Sequence, residues 1–379
     1  MEDRNEETLK ILNYNILAQS LLSESLNISK EQLKYVPFLN INYRFDKIFG
    51  IINGLKPDIC LFQEFEQNGL LNQRFEANNC CYKIFFKKRP GKHDDGCAIA
   101  YNTKKFKLEN YFFLELRLDS KSSNSPYILQ PKSKKSKNQN LYEKENVAIF
   151  LLLKSYKTNF YYLFISSHLL FNSSRGDIKL GQIYQILQSA ILLRSYYKDK
   201  NINIVLGADL NSTPTSAIYE FITSKTLDVE FLNASTLSGQ TYKNYKMDTS
   251  NWEANNGWYT EIINTFPKFI DHNIILKQNN YSKYKYDKYG NVEEEQKKSL
   301  ILENRIIMNS FYRDKNGKEP DITSLSKGFK GTFDYIFYNS NLHININFVL
   351  NLTNFSFNIP DKDLPSDHLP LFVEFNIHD

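Results

Sequence analysis

Nothing in this sequence approaches the roughly 18 uninterrupted apolar residues of a membrane-spanning helix. The first ten residues are mostly charged and polar, with no apolar core for a signal peptide. The chain therefore reads as intracellular and free of membranes, the cytoplasm being the first expectation and the nucleus the second. Cysteine is scarce: four occur in 379 residues, Cys80 beside Cys81, and none falls in a zinc-site or disulfide-framework spacing. That points to a reducing compartment. No repeat of fixed period is present, which excludes solenoids and propellers. A large charge excess is missing too. Forty-seven Lys and Arg against 42 Asp and Glu leave +5, which suits a polyanionic substrate without making the chain a dedicated nucleic-acid binder.

What is present is a series of short apolar runs bounded by turn residues, and 41% hydrophobic residues suffice for a large core. Leu9 to Leu17, Ile59 to Phe62, Tyr82 to Phe86, Cys97 to Tyr101, Val147 to Leu153, Phe160 to Ile165, Ile202 to Leu206, Phe333 to Tyr338, Ile344 to Leu350 and Leu371 to Phe375 read as strands. Ile178 to Tyr197 predicts an amphipathic helix with Ile183, Ile186, Leu187, Ala190 and Leu193 on one stripe. Arg44 to Asn53 predicts a shorter one, with Phe45, Ile48, Phe49 and Ile52 inward and Gly54 as its end. Two segments without sustained period, Asp119 to Asn146 and Tyr242 to Ser299, read as surface insertions in a single domain spanning 1–379. The first is expected to be mobile and the second to be partly folded around Trp252 and Trp258. Lys132, Lys134, Lys135 and Lys137 fit a solvated charge run, an RNA contact or a nuclear-import signal.

Several polar residues sit inside or just past the apolar runs: Asn15, Glu64, His168, Asp209 with Asn211, Asp334, and Asp367 with His368. Strand ends of an α/β sheet gather on one rim, where ligands bind, so six points of the chain can meet in one cleft. Their chemistry matches phosphodiester hydrolysis. A hard cation such as Mg²⁺ takes one or two carboxylates with water and phosphate; Glu64 supplies a carboxylate and Asn15 a neutral oxygen. Side chains two apart in an extended segment share a face, so Asp209 can hold the attacking water while Asn211 holds the phosphate. His168 and His368 suit the developing charge and the leaving oxygen, with Asp334 as the carboxylate that orients His368. Blander readings coexist. Gln63 and Glu64 also fit an exposed loop pair, and His168 a core histidine. Asp334, inside an apolar strand, requires a partner. Ser366-Asp367-His368 fits either a helix cap or a turn before a strand, and Pro370 favours the strand.

Taken together, Tyr14-Asn15-Ile16-Leu17, Gln63-Glu64, Asp95-Gly96-Cys97-Ala98-Ile99, His168, Asp209-Leu210-Asn211-Ser212, Asp334-Tyr335-Ile336 and Ser366-Asp367-His368 resemble the endonuclease/exonuclease/phosphatase superfamily. Within it the chain is similar to the deadenylase branch of carbon catabolite repressor protein 4, nocturnin and Angel. The segment from His168 to Gln182, which contains Arg175-Gly176-Asp177, looks Angel-like.

The resemblance implies a deoxyribonuclease I-like four-layer α/β sandwich, two packed mixed sheets flanked by helices. It implies a Mg²⁺-dependent 3′ exoribonuclease acting on poly(A) tails, Mn²⁺ being able to substitute. An RNA 2′,3′-cyclic phosphatase and an inactive RNA-binding member are the alternatives. By position, the resemblance gives Glu64 as the principal metal ligand, Asn15 beside it and Asp367 as a further acidic group near the metal. His168 and Asn211 become phosphate contacts, Asp209 the residue that activates the nucleophile, and Asp334 with His368 the catalytic pair. Phe329 aligns with an aromatic that stacks on adenine, an alternative to a core Phe, and Arg175 joins the substrate side. Ala208 and Ser167 stand where the family has Gly and Thr; a backbone φ above zero at 208 would resist Ala. No leucine-rich repeat region precedes Asn15, so a monomer acting on RNA outside a larger deadenylase complex is expected.

Overall fold

The protein is described by a computed structural model over residues 6–66, 81–116, 145–198, 200–229, 232, 234–240, 276–286, 292–326, 329–339, 343–351 and 359–377; of 276–300, Ser326 and Phe329 it describes the backbone alone. Strands β1 (Glu7–Asn15), β2 (Ile59–Glu66), β3 (Tyr82–Lys88), β4 (Asp95–Asn102), β5 (Phe106–Glu115) and β6 (Val147–Ser155) open the chain. There follow β7 (Tyr161–His168), β8 (Ile202–Asp209), β9 (Thr226–Asp228), β10 (Leu276–Tyr286), β11 (Val292–Glu303) and β12 (Met308–Ser310). Then come β13 (Ser324–Ser326), β14 (Phe329–Gly331), β15 (Asp334–Asn339), β16 (Ile344–Val349) and β17 (Leu371–Ile377).

Two six-stranded mixed sheets carry the architecture, one ordered β16-β17-β1-β2-β4-β3 and the other β12-β15-β8-β7-β6-β5. Their facing sides bury Leu9, Ile11, Ile59 and Leu61 against Ile149, Leu151, Phe164 and Val205. The outer side of the first sheet packs Leu12, Tyr14 and Phe62 on the Ile41–Leu55 helix through Phe45, Ile48, Phe49 and Ile52. The outer side of the second packs Ile204 and Leu206 on Ile183, Ile186, Leu187 and Ala190 of the Gly176–Tyr196 helix. The result is the four-layer α/β sandwich expected of a deoxyribonuclease I-like fold. Strands covered on both faces are apolar at consecutive positions, which is why Ile59–Phe62 of β2 and Ile204–Leu206 of β8 read as hydrophobic runs.

Polar contacts also cross between the sheets: Glu7 of β1 accepts from Ser155 and Tyr162 of the second sheet, and another contact lies beside Glu64. The Gln63 side chain donates to Asn13 Oδ1 at 2.9 Å and, across the sandwich, to Ser166 Oγ at 3.1 Å. Gly207 sits opposite, and a Cβ there would meet Leu61 and lie 2.6 Å from Asn13 Oδ1; glycine is what allows the layers to approach.

The structure departs from the sequence reading in places. The shorter helix continues through Gly54 to Leu55 and stops at Lys56, whose φ is 48°. Gly54 is merely tolerated in its last turn, at a modest propensity cost. The long helix is buried nearly all round from Gly176 to Ile183 rather than along one stripe. β5 gave no apolar run because it is an edge strand with every residue but Phe106 at least partly exposed. Within the second presumed insertion, β10 and β11 form an antiparallel hairpin whose β11 continues onto β9; its polar strands carry no apolar period to read. Trp252, Trp258 and the Lys132–Lys137 cluster lie outside the described residues. Ser366, Asp367 and His368 form no helix, and His368 bridges Ser324 instead. Among the described residues no helix is long and apolar enough to cross a membrane, and Cys60, Cys81 and Cys97 are in no disulfide.

Candidate active site

Strand pairing alone brings three of the candidate residues into a row. Parallel pairing of β7 with β8 sets His168 beside Asp209, and antiparallel pairing of β8 with β15 sets Asp209 beside Asp334. All three lie where β7 and β8 end and β15 begins, on one rim of the second sheet. The first sheet supplies the facing side through Asn15, the last residue of β1, and Glu64 near the end of β2. Glu64 has a φ of 52° and sits where the β2–β4 register slips between Phe62 and Phe65. This bulge turns the carboxylate toward the site at the expense of a left-handed backbone.

The side chains close on Asp209, which is 1% exposed. Its Oδ2 accepts from Asn15 Nδ2 at 3.0 Å and lies 3.4 Å from His168 Nε2 and 3.7 Å from His368 Nε2. Its Oδ1 accepts the Asn211 backbone N–H at 2.9 Å. Asn211 lies past the strand end with a φ of 47°, so the two-residue strand period does not place it beside Asp209. That hydrogen bond does. The Asn211 amide donates one N–H to Leu169 O at 3.0 Å and the other to His168 Nε2 at 2.9 Å. A neutral His168 then carries its proton on Nδ1.

His368 Nδ1 lies 2.8 Å from Asp334 Oδ2, which also accepts from Thr323 Oγ1 at 2.6 Å. Thr323 in turn accepts the backbone N–H groups of Phe333 and Asp334. The carboxylate that the apolar strand required to be paired therefore has two partners.

Charge is distributed unevenly. Burial works to raise the Asp209 carboxyl, but His168, His368 and the Asn211 N–H outweigh it and hold it below the ordinary range. Burial works against a charge on His368, yet Asp334 and Asp209 hold its imidazole well above the usual value. Asp334 is raised by burial and by Asp209, against the pull of His368. Glu64 is raised by burial and by Asp367, which His168 and His368 only partly offset.

Two donor sets could hold a cation. Asp209, Asp334 and His368 bring ligand atoms within 4.8 Å of one another, but His368 Nδ1 is already bonded to Asp334 Oδ2, and a positively charged imidazole repels a metal. Glu64 and Asp367 form the better set. They raise each other's energy as buried like charges, and Asp367 Oδ1 is buried with no hydrogen-bond partner. Oxygen donors left wanting a positive charge suit a hard divalent ion. Asn15 departs from its expected ligand role: its Oδ1 is taken by the Leu17 N–H at 3.1 Å, and its Nδ2 bridges Glu64 and Asp209. It presents protons, not oxygen, to the carboxylates.

Arg175 and Phe329 are the other substrate-side candidates. Arg175 forks onto Asp177 at the start of its own helix, at 2.8 and 2.9 Å, and the Phe329 side chain lies outside the described residues. Ala208 stays in β8 without a positive φ. Among the candidate site residues, Glu64 and Asn211 have a positive φ.

The family model for the endonuclease/exonuclease/phosphatase family matches residues 12–368, from the strand that ends in Asn15 to the second histidine. The chain belongs to this family. Among curated members, carbon catabolite repressor protein 4 homolog 3 of Arabidopsis thaliana is 27% identical over 97% of this chain and 75% of its own length. Protein angel homolog 2 of Bos taurus is 24% identical over 99% of this chain and 70% of its own. Among solved structures, that of ANGEL2, described as a 2′,3′-cyclic phosphatase, superposes with a TM-score of 0.69 at 26% identity, covering 98% of this chain and 96% of that one. As a family member this chain is a hydrolytic enzyme of the phosphodiesterase and phosphatase type.

Sequence reasoning overlooked several residues of the site. Thr323 carried no motif signal. Arg44 was assigned only to a helix, yet it is fully buried and donates to Ile16 O, Leu17 O, Pro365 O and Gln19 Oε1. It thereby ties the loop after Asn15 to the segment before Asp367. Its signal was an arginine at the start of an otherwise apolar helical face.

Proposed function

We propose that this enzyme hydrolyses the 2′,3′-cyclic phosphate at the 3′ end of RNA with the aid of Mg²⁺. The observation that carries the hydrolytic reading is the placement of the Asp209 carboxylate between two imidazoles whose environments differ. Opposed shifts of neighbouring titratable groups divide acid from base. Asp209, held ionised, takes the proton of a water as its oxygen bonds to phosphorus. His368, held protonated and steadied by Asp334, gives a proton to the ribose oxygen as its bond to phosphorus breaks. Asn211 and His168 border the phosphate. A divalent ion between Glu64 and Asp367 would neutralise the phosphate oxygens and the charge that develops on them.

The likeness to ANGEL2 and the Angel-like segment after His168 support the cyclic end as substrate. Shortening of poly(A), the first reading of the sequence, is the second here. The Arabidopsis relative, by name a carbon catabolite repressor protein 4 homolog, favours it. Purified protein and an Asp209→Ala variant, each incubated with an RNA ending in a 2′,3′-cyclic phosphate and with a poly(A)-tailed RNA, separate the readings. Loss of the cyclic end by wild type, abolished by EDTA and by Asp209→Ala, is expected. A shortening ladder with the cyclic end untouched transfers the assignment to deadenylation, and no turnover of either RNA removes both.

A further inference from the structure

We infer that Lys179 and Gln182, one turn apart on the Gly176–Tyr196 helix, are positioning residues that hold the phosphate-side pair Asn211 and His168 from behind. The inference rests on the hydrolytic reading above for its kinetic consequence, and on geometry for the rest. Both side chains are fully buried. Lys179 Nζ donates to the Asn211 carbonyl at 2.5 Å and to Gln240 Oε1 at 2.9 Å, and among the described residues no carboxylate lies within ion-pair distance of it. Gln182 Oε1 accepts the Leu170 N–H at 3.0 Å, while its Nε2 donates to Asn146 Oδ1 at 3.0 Å. Asn146 Nδ2 then donates to the His168 carbonyl at 3.0 Å.

A buried ammonium without a counter-ion is costly, and burial pushes the Lys179 amine down to about 7 despite the Asp209 charge. An apolar residue would fill the volume at lower cost. What it would not do is fix a left-handed Asn211. That backbone conformation is sparsely populated and persists only where the surroundings determine it. The ammonium grips the Asn211 carbonyl on one side, and Asp209 grips its N–H on the other. With the peptide held at both ends, the side-chain amide is aimed at His168. Gln182 does the same for the strand end, holding the backbone at His168 and Leu170. The helix face that follows the first histidine thus acts through two contacts on two members of the site.

The test is a double-mutant cycle between Lys179→Met and Asn211→Ala, read in kcat and KM on the cyclic-ended RNA and in the ring-nitrogen NMR shifts of His168. Lys179→Met should lower kcat about 10²-fold, as misplacements of about 1 Å do, with KM nearly unchanged. The double variant should be no slower than Asn211→Ala alone. Additive losses overturn the inference. In the spectra, Lys179→Met should move the His168 ring nitrogens toward their values in Asn211→Ala; wild-type shifts overturn it. This second readout needs no turnover, so a chain inactive on both RNAs would lose the proposed function while the positioning role was still decided. Should Lys179→Met fail to fold, Gln182→Leu enters the same spectra, where an unmoved His168 overturns the inference. Failure of both variants to fold overturns it as well, since it makes the pair a stability element.

Discussion

Asp334 never faces the attacking water in the proposed reaction; its carboxylate touches His368 and Thr323, and its work is to keep one imidazole charged and oriented. Asp334→Asn keeps the shape and removes the charge, so it is expected to lower kcat by about 10²–10⁴-fold while RNA affinity by filter binding stays near wild type. Equal losses in both would mean that Asp334 supports substrate rather than chemistry. Lys179 gives a pH signature of its own. Its folded-state value near 7 lies below that of an exposed lysine, so the unfolded chain binds the proton more tightly. Stability is therefore expected to rise as pH goes from about 7 to about 10.4, the ordinary lysine value. Urea unfolding across that range should show the rise in wild type and a flatter profile in Lys179→Met.

At the scale of elements, the loops beyond the strands are as determined as the strands. Arg44 reaches from the Ile41–Leu55 helix to three backbone carbonyls, two in the loop after β1 and one before Asp367. Each buried carbonyl left without a donor costs about 1–3 kcal/mol. Arg44→Met is accordingly expected to lower unfolding stability by about 3 kcal/mol or more and to reduce activity together with it, since that loop feeds Glu64 through the Ala18 N–H. Thermal melts beside kcat check this; a full Tm with lost activity would contradict it. These loops were also the hardest part to read. Asp334 announced itself because a carboxylate in an apolar strand needs a partner, and Asp209 because it follows a mostly apolar strand run. The facing of Asn15 could not be read, since it depends on Leu17, at a φ of 55°, handing its N–H back to the amide oxygen. The strand rule set Asn211 beside Asp209, but β8 ends at Asp209, two residues short of it. The helix after His168 was visible as a helix, but its two polar contacts look in sequence like surface positions.

For the molecule as a whole, Glu64 and Asp367 are the groups whose charge calls for a cation. Mg²⁺ is expected to raise the melting temperature, the gain reaching about 2.7 kcal/mol at a hundredfold excess over Kd, and Glu64→Gln to abolish most of it. A melt indifferent to Mg²⁺ in wild type would remove the assignment. The sandwich that carries these residues divides the chemistry: Asn15 and Glu64 belong to one sheet, His168, Asp209 and Asp334 to the other. Near the site the sheets are held against each other by the Gln63–Ser166 and Asn15–Asp209 bonds and by the close approach that the missing Cβ of Gly207 allows. The enzyme's turnover is therefore a gauge of sliding between its two halves. Gly207→Ala, a single methyl group wedged between the layers, is expected to cost about 1–3 kcal/mol of stability and a far larger share of kcat. Pressure or mild urea should silence the wild-type enzyme while its circular dichroism still reads as folded.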